Sequence, residues 1–360
     1  MRVDRARLGR YARAAARWGR LLAPSDETPG LRVFYGHDLL PAPDEPARGG
    51  TAKSQRLAHR FPNSAADFTL LYLGSSWLPR DLRGLLWLAR RRRLPVVLNQ
   101  NGVGYPAWAG DRTEEVNRPL GRAFAAADHV LYQSEFCRSA ADVFLGGPSG
   151  SWEVLPNAVD VERFTPPPGS PPDGPVLLLG GDQTQAYRVD LALRTLALVR
   201  REQTGARLVV TGRLVAPPDR LLDELRLRDH VDLVGRYSQR DAPALLGRAH
   251  VLLHTQMNDS CPSLVLEAMA CGVPVVHAAS GGTVELVADI GGVGVPHEAT
   301  WERLVPPAPE AMADAVGRVL SDLPRYSAAA RARVVERFAL EPWLDRHTAL
   351  FEELLSRRGA

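Results

Sequence analysis

Residues 250–279 read HVLLHTQMNDSCPSLVLEAMACGVPVVHAA and contain two apolar runs with a helical pattern between them. The runs HVLLHT (250–255) and VPVVHAA (273–279) lack the alternating polar residues of a strand with one solvent-exposed face. This is typical of strands in a parallel sheet that is covered on both sides. Pro262 suits the first turn of the intervening helix, where its missing N–H leaves no hydrogen bond unmade. This stretch therefore predicts a β-α-β unit.

Similar apolar runs alternate with helical patterns along the rest of the chain. An earlier set comprises LRVFYG (31–36), DFTLLYLG (67–74), LPVVLNQ (94–100), HVLYQS (129–134) and WEVLP (152–156). A later set, which ends with the two runs above, begins with PVLLLGG (175–181), ARLVVTG (206–212) and VDLVG (231–235). Between the sets lies TPPPGSPPDGP (165–175), whose prolines are incompatible with regular structure.

Strand–helix alternation on both sides of a proline-rich segment predicts an α/β protein with two doubly wound, Rossmann-like domains that face each other across a cleft. We place the first domain at 1–164, the linker at 165–175 and the second domain at 176–324. The helices of 325–360 are predicted to cross back to the first domain. In such sheets ligands bind beyond the carboxyl ends of the strands, so the cleft between the domains is the expected site.

Composition narrows the class of protein. The chain has 360 residues, a formal net charge of +3 and three cysteines that form no CxxC pair. This composition favours a cytoplasmic protein with free thiols and gives no nucleic-acid-binding charge balance. Arginines surround a helical stripe in residues 1–22; the stripe either packs on its own domain, which we favour, or makes a peripheral contact with an anionic membrane.

Polar residues follow the strand at 250–255. Asp259 or Ser260 can cap the next helix, which leaves the amides of Ser263 and Leu264 free to meet an anion such as phosphate. Glu267 then lies one to two turns into the helix, where its carboxylate can accept hydroxyl hydrogens from a ribose. The alternative is a Glu that stabilises its own helix dipole or meets an arginine.

The acidic pair Asp259-x7-Glu267, followed by AMACGVPVV and SGGTVELV, resembles the acid-x7-Glu signature of retaining glycosyltransferases of family 4, which have the GT-B fold. VLPNAVDVERFTP (154–166) is similar to the interdomain segment of that family, and ARGGTAKS (47–54) to its glycine-rich loop. The resemblance runs from about residue 31 to the C-terminus.

The resemblance implies a nucleotide-sugar donor, with UDP- or GDP-sugar expected, and no other cofactor is expected. The sequence has no HxxxH or DxD motif strong enough to argue for a metal. Glu267 would hold the ribose hydroxyls, Asp259 the donor sugar, and the backbone of Ser263 and Leu264 the diphosphate. Further donor-binding candidates are the glycines Gly49, Gly50 and Gly181, and Gly235 and Arg236 in the segment expected to meet the base. For Gly49 and Gly50 the alternative is an ordinary flexible turn.

The chain departs from the family pattern at several places. Asp182 and Tyr187 stand where an Arg and a Lys commonly neutralise the diphosphate. Arg188 and Arg213 are candidates to supply that charge, although an arginine on a helix surface is the competing interpretation for Arg188. Asn101 replaces a His near the donor sugar; its amide bonds to hydroxyls but moves no proton. Asp259 itself replaces a Glu.

The mechanism implied is same-face transfer in which the departing phosphate takes the acceptor proton, although Asp259 as a nucleophile stays open. The acceptor, which is a glycan, a lipid carrier or a natural product, is expected against NQNGVGYPAW (99–108). There Tyr105 and Trp108 either stack on it or belong to the core. The alternatives for the whole chain are a protein that binds a nucleotide sugar without turnover and a GT-B epimerase.

Overall fold

The computed structural model describes residues 15–23, 30–42, 49–168, 174–298 and 300–359. Three of the segments singled out above fall partly outside them. These are residues 1–14 of the arginine-rich arm, 47–48 of the glycine-rich stretch and 169–173 of the predicted linker.

The first sheet has five parallel strands in the order β1-β2-β3-β4-β5 within the described residues. They are β1 (Val33–Phe34), β2 (Leu70–Gly74), β3 (Val96–Gln100), β4 (His129–Tyr132) and β5 (Ser151–Val154). Each falls within, or one residue beyond, a predicted apolar run. The central strands β2, β3 and β4 are buried almost throughout, as expected for a sheet with helices on both faces.

Helices cover both faces of the first sheet. Residues 15–22 form the described part of α1. They are followed by α2 (Gly49–Ala58), α3 (Leu82–Arg91), the short α4 (Pro106–Ala109), α5 (Thr113–Ala126) and α6 (Glu135–Phe144). The core between the sheet and α1, α3, α5 and α6 contains Leu21, Leu85, Phe124 and Cys137. Short 3₁₀ turns lie at Ser75–Trp77 and Gly110–Arg112.

The second sheet has six parallel strands in the order β11-β10-β9-β6-β7-β8. They are β6 (Val176–Leu179), β7 (Arg207–Thr211), β8 (Val231–Gly235), β9 (Val251–His254), β10 (Val275–Ala278) and β11 (Gly292–Val295). The chain winds outward from β6 in one direction and from β9 in the other. The crevice at this reversal, where β6 and β9 lie side by side, is where Rossmann-type sheets bind ligands.

The second domain contributes eight helical segments among the described residues. Its helices are α7 (Ala186–Val199), α8 (Asp219–Glu224), α9 (Ala242–Leu246), α10 (Ser263–Ala270), α11 (Thr283–Val287), α12 (Pro309–Ser321) and α13 (Leu323–Arg337), with a 3₁₀ turn at Arg228–His230. The last helix, α14 (Leu340–Gly359), packs on the first sheet, where Phe351 lies edge-on to Tyr72 and Trp343 belongs to the same core cluster. The chain therefore returns to its first domain, while α13 stays against α10.

The described part of the arginine-rich arm packs on its own domain. Arg17 pairs with Asp38 at 2.5 Å and with Asp81 at 2.9 Å. Trp18 lies against α3 so closely that a Cβ on Gly84 would stand 2.5 Å from its ring. Membrane contact by the arm stays a prediction. No helix in the described ranges is long and apolar enough to span a bilayer.

Candidate functional site

A cleft of about 780 Å³ lies between the two domains, beyond the carboxyl ends of β6 and β9. It brings together eight of the predicted site residues: Asn101, Gly181, Arg188, Arg236, Asp259, Ser263, Leu264 and Glu267. The other four, Gly49, Gly50, Arg213 and Gly235, are not among the residues that line it.

The N-terminus of α10 opens into this cleft. The helix begins at Ser263 with Pro262 as its N-cap residue, and no side chain caps it. The expectation that Asp259 or Ser260 caps the helix is therefore wrong, because the turn at Pro262 separates both side chains from the first helical amides. Those amides have no partner within their own helix, which makes this end of α10 suited to an anion.

Glu267 pairs with an arginine of the other domain. Arg56, on α2, donates to the Glu267 carboxylate at 3.2 Å and to the Ser263 hydroxyl at 3.3 Å. The Glu267 side chain is 6% exposed and that of Arg56 18%. Burial raises the pKa of Glu267 and lowers that of Arg56, while each charge opposes the shift of the other. In this structure the Glu267 carboxylate, which is predicted to accept ribose hydroxyls, is thus paired with the Arg56 guanidinium.

Asp259 lies beside a histidine that the sequence reasoning overlooked. His254 ends β9, is 4% exposed, and its Nε2 stands 3.4 Å from a carboxylate oxygen of Asp259. This nitrogen is buried and has no hydrogen-bond partner within the described part of the chain. His254 Nε2 thus lies close to the Asp259 carboxylate without forming a hydrogen bond to it.

Asp182 is neutralised within its own domain. Arg236 donates to its carboxylate at 2.6 and 3.1 Å, and the backbone N–H of Arg213 donates at 2.9 Å. The hydrogen bonds from Arg236 are the main reason that the pKa of Asp182 falls to about 2. Arg213 thus contacts Asp182 through its backbone. Its side chain was predicted to supply charge to the donor, but Arg213 does not line the cleft.

Arg188 is buried, not on a helix surface. It is 3% exposed, and its guanidinium donates to the carbonyl oxygens of Asp182 at 2.9 Å and Gly180 at 3.4 Å. Its Nε is buried without a partner among the described residues. Its neighbour Tyr187 accepts a hydrogen bond from the backbone N–H of Met257 at 3.1 Å, so it supports the loop after β9.

The glycines of the predicted set differ in what they do. Gly181 has φ of +82° and open space where a Cβ would be, so its backbone faces the cleft. Gly49 and Gly50 are the first residues of α2. A Cβ on Gly50 would lie 2.5 Å from the Ser76 hydroxyl, so this glycine is needed for packing within its domain. Gly235 closes β8 with φ of +75°.

The residues of the segment predicted to meet the acceptor (99–108) lie in different environments. Asn101 lines the cleft, and its side chain accepts a hydrogen bond from the Ser75 hydroxyl. Tyr105 is 8% exposed and packs edge-on against Trp301 of the second domain, so its core interpretation is correct. Trp108 is 57% exposed and outside the cleft lining.

Direct contacts join the domains at the rim of the cleft. The Ser134 hydroxyl donates to the carbonyl of Ser260 at 2.8 Å. The Glu285 carboxylate accepts the backbone N–H groups of Glu135 and Phe136 at 2.8 and 2.9 Å, at the start of α6. Because anions stabilise helix N-termini, Glu285 fastens the second domain to the first.

The lining carries more positive than negative charge. Its cations are Lys53, Arg56, Arg163, Arg188 and Arg236, and its carboxylates are Asp182, Asp259 and Glu267. With histidines neutral, the lining has a surplus of two positive charges. Lys53 and Arg56 were not singled out from the sequence, although one signal was present: Lys53 is the only lysine in the chain. Among the described residues, no cluster of three or more His, Cys, Asp or Glu could hold a metal.

Comparison with known proteins places these residues in a family context. Residues 160–333 match the family model described as glycosyl transferases group 1. D-inositol 3-phosphate glycosyltransferase of Kineococcus radiotolerans is 30% identical over 280 residues, 70% of this chain and 64% of that protein. The GDP-mannose-dependent alpha-(1-6)-phosphatidylinositol monomannoside mannosyltransferase of Mycolicibacterium smegmatis is 31% identical over 294 residues, 75% of this chain and 72% of that protein. The chain thus spans somewhat under two thirds of the first relative's length.

Solved structures with the same architecture include sucrose-phosphate synthase from Thermosynechococcus elongatus, with a TM-score of 0.63, 20% identity and coverage of 81% of this chain and 74% of that one. HepE from Anabaena, solved in complex with UDP, has a TM-score of 0.65, 18% identity and coverage of 84% and 81%. At these identities the likeness speaks for the fold alone, and it confirms the predicted GT-B arrangement of two Rossmann-like domains.

Proposed function

The chain belongs to the glycosyl transferases group 1 family, and from this premise we propose that it transfers a sugar from a nucleotide-sugar donor to a hydroxyl group of an acceptor. One observation carries the proposal: the cleft at the reversal of the second sheet holds an uncapped helix N-terminus and two surplus positive charges. A diphosphate that links a nucleoside to a sugar carries two negative charges and fits both features.

The donor would lie mainly on the second domain. The amides of Ser263 and Leu264 would meet the diphosphate, and buried Arg188 would add positive charge next to it. Glu267 would accept the ribose hydroxyls with its carboxylate, of which Arg56 engages the Oε1 atom.

We propose retention of configuration at the sugar. The bond between the anomeric carbon and the diphosphate oxygen breaks, and the acceptor oxygen forms its bond to that carbon on the same face. The departing diphosphate oxygen takes the proton of the acceptor hydroxyl. Asp259 would hold the hydroxyls of the donor sugar. The protein's contribution is then positioning and the stabilisation of the leaving diphosphate by amides and cations.

For the acceptor we propose an inositol-type polyol, either as a soluble phosphate or as a phosphatidylinositol lipid. The support is the names of the two relatives described above, which act on inositol phosphate and on a phosphatidylinositol mannoside. For the donor, the UDP bound to HepE and the GDP-mannose dependence of the mycobacterial relative support UDP- and GDP-sugars as the first to test.

The test is release of nucleoside diphosphate from UDP- and GDP-sugars, with inositol phosphate or phosphatidylinositol vesicles as acceptor. The anomeric configuration of the product is read by NMR. Glu267→Gln should abolish turnover, whereas Glu341→Gln, a matched change at an exposed carboxylate, should not. A donor that binds without turnover would favour the binding-protein alternative, and an epimerised donor would favour the epimerase.

A further inference from the structure

Lys53 is the single lysine of a chain whose Lys and Arg residues total 44. It lies in the first half of α2, is 4% exposed, and lines the cleft from the side of the first domain. In the part of the chain that the structure describes, its ammonium group makes no hydrogen bond or ion pair. A buried cation without a partner is costly, because little water remains to solvate it.

The groups that face Lys53 do not balance its charge. They are Cys261, Cys137, Arg56 and Asp259. Burial raises the pKa of Cys261 to about 12 and that of Cys137 to about 11, so both thiols are uncharged near neutral pH. Arg56 is occupied by Glu267, and Asp259, the one carboxylate among these groups, forms no ion pair with Lys53 in the described residues. For Lys53 itself, burial lowers the pKa to about 8.

The neighbours of Lys53 place it at the loop that leads into α10. The backbone N–H of Asn157 donates to the Cys261 sulfur at 3.3 Å, and the Asn157 amide donates to the Cys261 carbonyl at 2.6 Å. These bonds hold the loop that leads into α10 against the first domain. Lys53 therefore faces the loop directly before the helix end at which the diphosphate is placed.

The second domain of this chain is short of side-chain cations at that point. Asp182 and Tyr187 occupy the places expected to carry positive charge, and Arg236 is taken up by Asp182. Arg188 keeps its charge, because its two partners are carbonyl oxygens, and it is thus the one lining cation of the second domain that no carboxylate pairs within the described residues.

We propose that Lys53 binds the diphosphate of the nucleotide donor, so that the first domain adds a cation to the charge that Arg188 supplies from the second domain. The inference rests on the proposed function. It has a structural consequence: Lys53 reaches the diphosphate only while the domains are held together, as Ser134 and Glu285 hold them here. Diphosphate binding and domain closure are thus coupled through one side chain.

Because the chain has one lysine, the proposal can be tested at the Lys53 side chain in the intact protein. Biosynthetic labelling with ¹³Cε-lysine gives a single side-chain signal that reports the Lys53 pKa by NMR titration. UDP or GDP, whichever binds, should raise this pKa by about one unit or more, because a nearby negative charge favours the ammonium form. The corresponding nucleoside should leave it unchanged. An unchanged pKa with saturating diphosphate would overturn the assignment.

Calorimetry supplies a second, independent readout. Lys53→Met should weaken binding of the nucleoside diphosphate about 10- to 100-fold, as expected for a lost charge-assisted hydrogen bond, and leave nucleoside binding unchanged. Wild-type affinity for the diphosphate should fall as pH rises above about 8, where free Lys53 loses its proton. Lys53→Arg should retain most of the affinity and remove that fall.

The outcomes separate this inference from the function on which it rests. If the wild type binds no nucleoside diphosphate, the proposed function fails and the Lys53 assignment fails with it. If the wild type binds and Lys53→Met binds equally well, only the Lys53 assignment fails. Loss of nucleoside and diphosphate binding together, in a variant with a wild-type melting temperature, would likewise contradict a role specific to the diphosphate.

Discussion

The ion pair between Arg56 and Glu267 should contribute measurably to stability, and its contribution should depend on both partners. At 3.2 Å and an effective dielectric constant of about 20, two unit charges attract by about 5 kcal/mol. Desolvation of both groups offsets part of this, so a coupling energy of about 1–3 kcal/mol remains. Arg56→Met alone should lower the free energy of unfolding by about 2–4 kcal/mol, because it leaves a buried carboxylate unpaired.

A double-mutant cycle in urea measures this coupling with Arg56→Met, Glu267→Gln and the combined variant. The loss caused by Arg56→Met should grow as pH rises. Burial already raises the pKa of Glu267, and removal of the guanidinium raises it further, so stability is lost as pH passes upward through the new pKa. Glu267→Gln should remove that pH dependence.

The matched control is Arg60→Met, which deletes an arginine whose acidic partners, Glu341 and Asp345, are 72% and 71% exposed. Exposed pairs contribute little, so this loss should be clearly smaller. The reasoning is refuted if Arg56→Met costs the same in the Glu267→Gln background as in the wild type.

Two further changes test the electrostatics and the packing around the donor site. Asp182→Asn should strengthen nucleoside-diphosphate binding several-fold in calorimetry at low salt, because it releases Arg236 and makes the cleft more positive; unchanged or weaker binding would contradict this. Gly180→Ala would place a Cβ 2.3 Å from a Leu264 methyl group, so it should lower stability by about 1–3 kcal/mol and displace the start of α10. Nucleotide affinity should fall with it, and a variant that binds as the wild type does would show that this contact is dispensable.

Most of the fold could be predicted from the sequence, because buried parallel strands carry nearly continuous apolar runs. Ten of the eleven strands in the described residues fall on such runs. The exception is β11, whose four residues include Gly292 and Gly294. Glycine weakens the strand signal, and only pairing with β10 makes this segment a strand.

The site was predictable where one element of sequence forms it and not where two domains meet. The start of α10 and Glu267 come from one short stretch, so helical periodicity, Pro262 and the acid-x7-Glu pattern were enough to find them. Arg56 meets Glu267 across 211 residues of sequence, and no local pattern reports such a contact. His254 looked like the last residue of a core strand, and its position beside Asp259 depends on the loop that follows.

The central claim is that this cleft binds a nucleotide sugar through Glu267. Its most direct test is calorimetric titration of UDP- and GDP-sugars, and of the free nucleosides, into wild type, Glu267→Gln and the control Glu341→Gln. We predict that one nucleotide series binds the wild type and the control alike, and that Glu267→Gln weakens the sugar nucleotide and its nucleoside by the same factor, since both carry the ribose. Equal affinity of wild type and Glu267→Gln, or no binding by the wild type, would contradict the account.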